Sequence, residues 1–400
     1  MEKTKAVKTK NRYSILIAGM IILLCAGIIY GWSVFKGPVA AHLAWDAGSA
    51  ALTSSVMLFM FVLGIILGGR AQDKLGPKKV TLAGSILIGA GMASSAFITS
   101  GAPWLLYVTY GCSAGLGVGT VYMCTIAAVQ KWFPDRRGFA SGMVICAFGF
   151  SLVVFAPLAK FLLGIAGVPN TFLIFGAGFL AVCGISSLFI ENPPEGYLPD
   201  GYTPAQAASS KRQYSPKEII KTKQYYLLVF ALCFTLPAYF ILNPVFISLG
   251  TERGLSEGIA LLGVTLTGIA SAAGRLVIAW ASDKTGRKPA MIAIAVIMLS
   301  ASLTMTIAGG IMFLVCIVLI AFGFGGAASV YSTMTAESFG TKYGGMNFGL
   351  VMIGFGISAL IFPIIAKNLI AGGSYTSSFI LAAAACIAAI VLVLLMKAKT

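Results

Sequence analysis

The sequence predicts an all-α polytopic membrane protein in which twelve transmembrane helices form two six-helix bundles. The first observation is the composition: of 400 residues, 58% are hydrophobic and only 10% are charged, and the mean hydropathy is +0.93. In soluble domains about a quarter of the residues are charged. Lipid must therefore solvate most of the surface of this chain, which excludes most classes of soluble enzyme.

Apolar segments long enough to cross a bilayer are the second observation. A hydrocarbon core of roughly 30 Å requires about 20 helical residues, and twelve such segments lie between charged or turn-forming residues. They cover residues 13–36, 49–69, 80–99, 104–130, 139–163, 170–190, 225–249, 257–282, 289–308, 311–336, 344–370 and 375–396. We number them spans 1 to 12. Span 1 is too long for the apolar core of a signal peptide, so we expect it to be retained.

An internal repeat is the third observation, and it predicts the division into two bundles. The motif that begins at Asp73 follows span 2, and the motif that begins at Asp283 follows span 8; both read Asp-Lys-x-Gly and they are 210 residues apart. A proline-containing polar segment separates span 6 from span 7. The predicted domains are a bundle at 1–190, a cytoplasmic linker at 191–224 and a second bundle at 225–400.

The distribution of positive charge predicts the orientation in the membrane. The net charge of +16 would suggest nucleic acid in a soluble protein, but 23 of the 28 lysines and arginines fall in segments on one side of the spans. Those segments are 3–12, 70–79, 131–137, 211–223, 284–288, 342 and 397–399. The positive-inside rule makes that side cytoplasmic. We expect a multi-pass protein of the cell (inner) membrane, with both termini cytoplasmic, surrounded by lipid and without a nucleic-acid partner.

Metal, cofactor and catalytic sites are not indicated. The eight cysteines all lie in apolar spans, none forms a C-x-x-C pair, and the single histidine, His42, falls in an outer loop. A zinc site or a disulfide framework is therefore not expected. An integral membrane enzyme would need acid and base groups or a metal near the membrane, so we predict a protein with no cofactor and no catalytic residue.

The loop after span 2 resembles the signature of the major facilitator superfamily, G-x-x-x-D-[RK]-x-G-x-[RK]-[RK]. Gly69, Asp73, Lys74, Gly76, Lys78 and Lys79 fill every position of it. In that family the loop holds the two halves together on the cytoplasmic side, so the resemblance implies a gating role for these residues. Charge-assisted hydrogen bonds of Asp73 would break as the halves rock. Topogenic charge alone would explain the lysines but not the matched aspartates and glycines. We extend the gating set to Asp135, Arg136, Asp283, Lys284, Arg287 and Glu337.

A second resemblance, along nearly the whole chain, is to the oxalate/formate antiporter family and its monocarboxylate-transporter relatives. The residues that carry it include 30–35 in span 1, 131–138 after span 4, Gly274 and Arg275 in span 8, and 347–350 in span 11. The resemblance implies a major facilitator fold and transport of a small organic anion by alternating access.

Arg275 is the one lysine or arginine that lies neither in the predicted cytoplasmic segments nor near the outer end of a span. It precedes Asp283 by eight residues, which places it roughly 12 Å inside the membrane. A guanidinium at that depth stays charged and needs a counter-anion, and none of the 12 acidic residues lies deep in a span. The most economical anion is a substrate carboxylate held bidentately, and in the related family the helix-eight arginine has this role. The alternative is that helix carbonyls and hydroxyls, such as that of Ser271, satisfy Arg275.

Further candidates for the substrate site lie at comparable depth. They are Tyr122, Phe148, Phe150, Phe324 and Phe355, with Tyr30 somewhat further out and Ser271 on the helical face of Arg275. Aromatic rings would form a mostly apolar cage with few polar contacts, although each aromatic taken alone could equally face lipid or the core. We place Asn243 in an outer vestibule and Tyr331 in an inner one.

Departures from the related family favour a monocarboxylate over a dicarboxylate. Oxalate-exchanging members have a lysine in helix eleven where this chain has Phe355, and proton-coupled relatives have an aspartate at the position of Ser271. We therefore predict a carrier, functional as a monomer, for formate, lactate, pyruvate or acetate, working by anion exchange or proton-linked symport. The alternatives are an oxalate/formate-type dicarboxylate antiporter, a carrier for another small organic anion, a channel, and a solute-sensing receptor.

Overall fold

The computed structural model describes residues 11–45, 47–194, 196–199, 213–242, 246–370 and 375–396. Within these residues the regular elements are all helices, and ten of them are long and apolar enough to cross a membrane. One of the ten, Arg137–Ser187, has 51 residues and breaks at Gly167 (φ 73°, ψ 178°), so it contains spans 5 and 6. Pro77–Ser95, with 19 residues, supplies span 3. The described helices therefore correspond to the twelve spans, and the predicted all-α membrane fold is confirmed.

The N-terminal half comprises spans 1 to 6, and its helices are continuous except in spans 1 and 4. Span 1 is Arg12–Ala26, a 3₁₀ turn at Gly27–Gly31 and Trp32–His42; span 2 is Ala47–Leu75; span 4 is a π-helical Tyr107–Ala114 followed by Gly115–Trp132. Small residues let these helices approach closely. A Cβ placed on Gly115, for example, would lie 2.7 Å from the carbonyl oxygen of Met57 in span 2.

The C-terminal half comprises spans 7 to 12, with interruptions in spans 7 and 11. Its helices are Lys223–Thr235, Pro237–Leu242 and Phe246–Glu252 (span 7), Glu257–Thr285 (span 8), Arg287–Thr304 (span 9), Gly310–Phe339 (span 10), Gly344–Val351 and Ile353–Ile370 (span 11) and Thr376–Leu395 (span 12). Pro237 explains the first break in span 7, because it has no N–H to donate to the preceding turn.

The two Asp-Lys-x-Gly motifs form matching turns between helices. Gly76 has φ 82° and precedes Pro77–Ser95, and Gly286 has φ 93° and precedes Arg287–Thr304. Left-handed backbone of this kind favours glycine. The final glycine of each motif is therefore explained by the turn. We call the end of the bundle that carries these two turns the motif end.

The halves meet through spans 2, 4 and 5 on one side and spans 8, 10 and 11 on the other. Buried polar side chains cross this boundary toward the motif end: Gln130 Nε2 donates to Ser332 Oγ at 3.2 Å, and the hydroxyls of Ser141 and Thr333 are 3.2 Å apart. The predicted linker docks by its two described ends. Trp132 Nε1 donates to the carbonyl oxygen of Glu191 at 2.7 Å. The backbone N–H of Tyr214 donates to the carbonyl oxygen of Phe339 at 2.9 Å.

Candidate functional site

A cavity lies between the halves at the depth of Arg275. Its lining comes from both halves: Tyr30, Phe61, Tyr122, Phe148, Leu232, Leu236, Arg275, Phe324, Ala328, Tyr331, Phe348, Met352 and Phe355. Arg275 is the one charged member of this lining. The cavity measures about 20 Å³, which is room for about one water molecule. A larger ligand can enter only if the lining moves apart.

Arg275 is 3% exposed, and its guanidinium reaches across to the N-terminal half. Its Nη1 donates to the carbonyl oxygen of Ile145 in span 5 at 3.2 Å, and its Cζ lies 5.8 Å from the ring centroid of Phe148. Its Nε has no hydrogen-bond partner, and no ion pair involves Arg275 within the described ranges. One backbone carbonyl thus satisfies part of the guanidinium, and the remainder is buried without a protein anion.

The N-terminal wall of the cavity is a cluster of rings around Phe148. The ring centroids of Tyr30, Tyr122 and Phe61 lie 5.4, 5.0 and 6.2 Å from that of Phe148, and the two tyrosines meet it edge to face. Edge-to-face pairs at this separation are a favoured aromatic geometry. Phe148 therefore links the arginine to the aromatic residues of spans 1, 2 and 4.

The C-terminal wall combines aromatic rings with one buried hydroxyl pair. Phe324 and Phe355 have ring centroids 6.2 Å apart, and Phe324 stacks on Tyr239 at 3.7 Å. The hydroxyls of Tyr331 and Thr235 are 3.1 Å apart. Tyr331, predicted as a substrate-site residue on the side of an inner vestibule, lines the same cavity as Arg275.

Two of the predicted substrate-site residues do not line the cavity, which corrects the sequence-based expectation. Phe150 is 41% exposed, because two residues along a helix turn the side chain by roughly 200° from Phe148. Ser271 is buried where span 8 packs on span 10, with its backbone against Gly325. Asn243 lies outside the described residues.

Six residues of the lining are not among those that the sequence predicts. They are Phe61, Leu232, Leu236, Ala328, Phe348 and Met352. All six are apolar, so nothing in their type separates them from lipid-facing neighbours. Their depth in spans 2, 7, 10 and 11 is the signal that all six share, and depth does not say which way a side chain points. Phe348 also falls within residues 347–350, which carry the family resemblance.

Phe148 and Phe150 make a matched pair for testing the cavity. We expect Phe148→Ala to lower the apparent affinity for the transported anion about tenfold, because it removes the ring that contacts both Arg275 and the tyrosines. Phe150→Ala should leave it within about twofold, because that ring lies outside the lining. Substrate-dependent uptake into proteoliposomes measures both. Equal effects of the two substitutions would contradict this assignment of the cavity.

At the motif end, each motif aspartate accepts hydrogen bonds from the start of a helix in the other half. Asp283 Oδ1 accepts from the N–H of Gly138 at 3.1 Å and Oδ2 from that of Phe139 at 2.7 Å. Asp73 Oδ2 accepts from the N–H of Met346 at 3.3 Å. A helix start presents unpaired N–H groups and partial positive charge, so it suits a carboxylate. The repeat thus forms two cross-half contacts of the same kind.

Close backbone approach accompanies both contacts. A Cβ on Gly69 would lie 2.5 Å from the carbonyl carbon of Gly345. At the second motif the glycine lies on the facing helix, span 5, and not on span 8. A Cβ on Gly142 would lie 2.8 Å from the Cβ of Ala279. Ala279 stands four residues before Asp283, as Gly69 stands four residues before Asp73, and the space that Gly142 leaves explains why an alanine fits there.

The arginine of the second motif acts within its own half. Arg287 Nη2 lies 2.5 Å from Asp283 Oδ1 and 2.9 Å from Glu337 Oε1, and Nη1 donates to Ser282 Oγ at 2.5 Å. Arg287 and Glu337 therefore hold Asp283 in position for Gly138 and Phe139. Asp283, Arg287 and Glu337, all members of the expected gating set, thus lie in contact with one another, and their role in gating stays a prediction.

The other predicted gating residues do not join the halves in this conformation. Asp135 pairs with Arg12 of the same half at 2.9 Å, and the 70% exposed side chain of Arg136 lies 3.9 Å from Asp135. Lys284 lies over the ring of Trp280, one turn earlier in its own helix. Lys74, Lys78 and Lys79 are exposed and form no ion pair with any residue described. Lysines at this surface remain hydrated, because water already solvates them well.

The chain matches the family model described as "Major Facilitator Superfamily" over residues 15–240 and 228–400. Among curated proteins it is 27% identical over 363 residues to "Uncharacterized MFS-type transporter YhjX" of Escherichia coli, covering 88% of this chain and 86% of that protein. It is 24% identical to "Oxalate:formate antiporter" of Oxalobacter formigenes, covering 85% and 80%. Monocarboxylate transporter 13 of Rattus norvegicus is 30% identical over 140 residues, which is 35% of this chain and 32% of that protein.

Solved structures match over almost the whole chain. A transporter described as FucP in the outward conformation has a TM-score of 0.73 at 15% identity, covering 96% of this chain and 99% of that one. The human organic anion transporter MFSD10 has a TM-score of 0.69 at 14% identity, covering 96% and 100%. At these identities the likeness shows the fold alone.

Proposed function

The chain belongs to the major facilitator superfamily, and from that premise we propose that it carries a small monocarboxylate across the cell membrane by alternating access. It is a multi-pass membrane transporter and not an enzyme. The proposed substrates are formate, acetate, lactate and pyruvate, moved by exchange for another anion or together with a proton. The resemblance to an oxalate:formate antiporter and to monocarboxylate transporters supports this class of substrate.

The observation that carries the proposal is Arg275. It is a buried guanidinium at a cavity between the halves, and it has no carboxylate partner among the residues described. A buried charge without a partner is costly, so a site that keeps one gains most when a ligand supplies the opposite charge. The carboxylate of the substrate supplies it here.

The composition of the cavity argues for one carboxylate. With one cation in the lining and apolar or aromatic side chains around it, a second charged carboxylate would be desolvated without a partner. Phe355, on span 11, lies in this apolar part of the wall. An oxalate/formate-type dicarboxylate exchange remains the second candidate because of the 24% identity to the Oxalobacter formigenes antiporter.

The conformation supports alternating access with the motif end as the cytoplasmic gate. The aspartate contacts of Asp73 and Asp283 hold that end together, and the positive-inside rule supports a cytoplasmic location for it. Residues 1–190 and 225–400 then act as the two rocking units, joined by the linker, within a single chain.

A panel of radiolabelled acids tests the proposal in proteoliposomes that contain the purified protein. Formate, acetate, lactate, pyruvate and oxalate are compared, with and without a pH gradient and with and without internal anion. We expect saturable uptake of at least one monocarboxylate, stimulated by internal anion or by an inward proton gradient. Strong oxalate exchange would overturn the single-carboxylate argument. Uptake of a neutral or cationic solute, with none of the five acids transported, would overturn the proposed function.

A further inference from the structure

Span 5 and span 8 pack along a strip of glycines that ends at Arg275. Gly142 packs against Ala279 of span 8. Gly149, two turns further along span 5, packs against the side chain of Arg275. A Cβ on Gly149 would overlap Nη1 of Arg275 and would stand 3.0 Å from its Cζ. Gly149 therefore leaves open the space that the guanidinium occupies.

The same stretch of span 5 supplies the hydrogen-bond partner of the guanidinium. Nη1 donates to the carbonyl oxygen of Ile145, one turn before Gly149, and the ring of Phe148 lies on the cavity side. With Nη1 engaged by the backbone, Nε has no partner. A guanidinium binds a carboxylate best through two neighbouring N–H groups in one plane, such as those of Nε and Nη2.

We propose that Gly149 is a positioning residue for Arg275. The absent side chain leaves room for Nη1 to reach the Ile145 carbonyl, and that hydrogen bond turns the guanidinium so that Nε and Nη2 remain for one substrate carboxylate. The proposal rests on the proposed function. It assigns to span 5, in the N-terminal half, the orientation of an anion anchor that belongs to the C-terminal half.

A side chain at position 149 would move the guanidinium without removing its charge. Alanine would push Nη1 off the Ile145 carbonyl, so the arginine would still attract an anion but would present the wrong pair of N–H groups. The expected loss is one well-aligned, charge-assisted hydrogen bond, which corresponds to about a tenfold weaker apparent affinity.

Gly149→Ala is compared with Gly164→Ala, a control substitution in the same helix, before its break at Gly167, where no atom lies within 4 Å of the added Cβ. Uptake of the best acid of the panel is measured against its concentration. We expect KM to rise about tenfold in Gly149→Ala with kcat within about threefold, and both constants to be unchanged in Gly164→Ala. An unchanged KM in Gly149→Ala, or an equal rise in both variants, would overturn the proposal.

A double-mutant cycle with Arg275→Lys separates positioning from simple helix packing. Lysine has no atom in the place of Nη1, so Gly149→Ala should lower the melting temperature in the wild-type background but not in the Arg275→Lys background. This comparison does not depend on uptake. It also applies if Gly149→Ala fails to fold, because the double variant with Arg275→Lys should still fold. Additive losses would show that Gly149 serves packing alone and would overturn the proposal. Wild-type uptake by Arg275→Lys and by Arg275→Met would instead remove the proposed function, so the two failures are distinguishable.

Discussion

Arg275→Met is expected to abolish carboxylate uptake while leaving the protein folded. A bidentate contact with a buried guanidinium comprises two charge-assisted hydrogen bonds, and their loss should reduce kcat/KM by about 100-fold or more. The stability of the folded protein should not fall with the uptake. Methionine removes a buried charge whose Nε has no partner, so the melting temperature should stay the same or rise.

Arg253→Met is the matched control for Arg275→Met. Arg253 Nη1 donates to the carbonyl oxygens of Met305 at 2.5 Å and of Ala308 at 2.8 Å, in the turn after span 9. It closes that turn and lies outside the cavity lining. Its replacement should therefore lower the melting temperature and leave the KM of the folded protein unchanged. Loss of stability in Arg275→Met together with a normal KM would mean that Arg275 is a structural residue.

The second large effect concerns the motif end. Asp283 accepts two N–H groups of the other half and Asp73 accepts one longer bond, so Asp283→Asn should open this end more than Asp73→Asn does. An asparagine amide has no charge and one acceptor oxygen. Its NH₂ group is a donor, so it cannot accept the hydrogen bond of the second backbone N–H. Loss of one charge-assisted bond should raise the open population about tenfold or more.

The opening can be measured by the reactivity of a cysteine at the boundary between the halves. Thr333→Cys, in a background without the eight native cysteines, places a thiol beside Ser141, whose hydroxyl lies 3.2 Å from that of Thr333. Asp283→Asn should speed its labelling by a membrane-impermeant maleimide added from the motif side. Asp135→Asn, which breaks a pair within one half, should not. Similar rates in both variants would contradict the role of Asp283 as a contact between halves.

Much of the fold was predictable because the bilayer constrains it strongly. Span length, the positions of the turns at Gly76 and Gly286 and the depth of Arg275 follow from hydropathy, glycine chemistry and the rise of a helix. The break at Gly167 falls between predicted spans 5 and 6 and separates the two helices. The family resemblance implied that Asp73 joins the halves; in the structure Asp73 and Asp283 each accept a backbone N–H of the other half, and their role in gating stays a prediction.

The site was predictable in depth but not in direction. Counting residues placed Phe148 and Phe150 at the same level, but the structure directs one toward Arg275 and the other outward, because the face toward the core depends on how whole helices pack. The contact between Arg275 and Ile145 lay beyond reach for a related reason: it joins residues 130 apart in sequence. Every residue type has a backbone carbonyl, so the identity of residue 145 does not indicate that its carbonyl accepts a hydrogen bond from Arg275. The lysines of the first motif were expected to help join the halves, but among the described residues the contact is a single hydrogen bond from the backbone N–H of Met346 to Asp73.

The central claim is that Arg275 recognises a carboxylate, and a charged acid compared with its own amide tests it most directly. Acid and primary amide have nearly the same size and shape, but only the acid has a charge for the guanidinium. The best acid of the panel is used as labelled substrate, and its unlabelled acid and amide as competitors, in wild-type proteoliposomes. We expect the acid to compete fully and the amide to compete at least about 100-fold more weakly. Equal competition by the amide would contradict the claim.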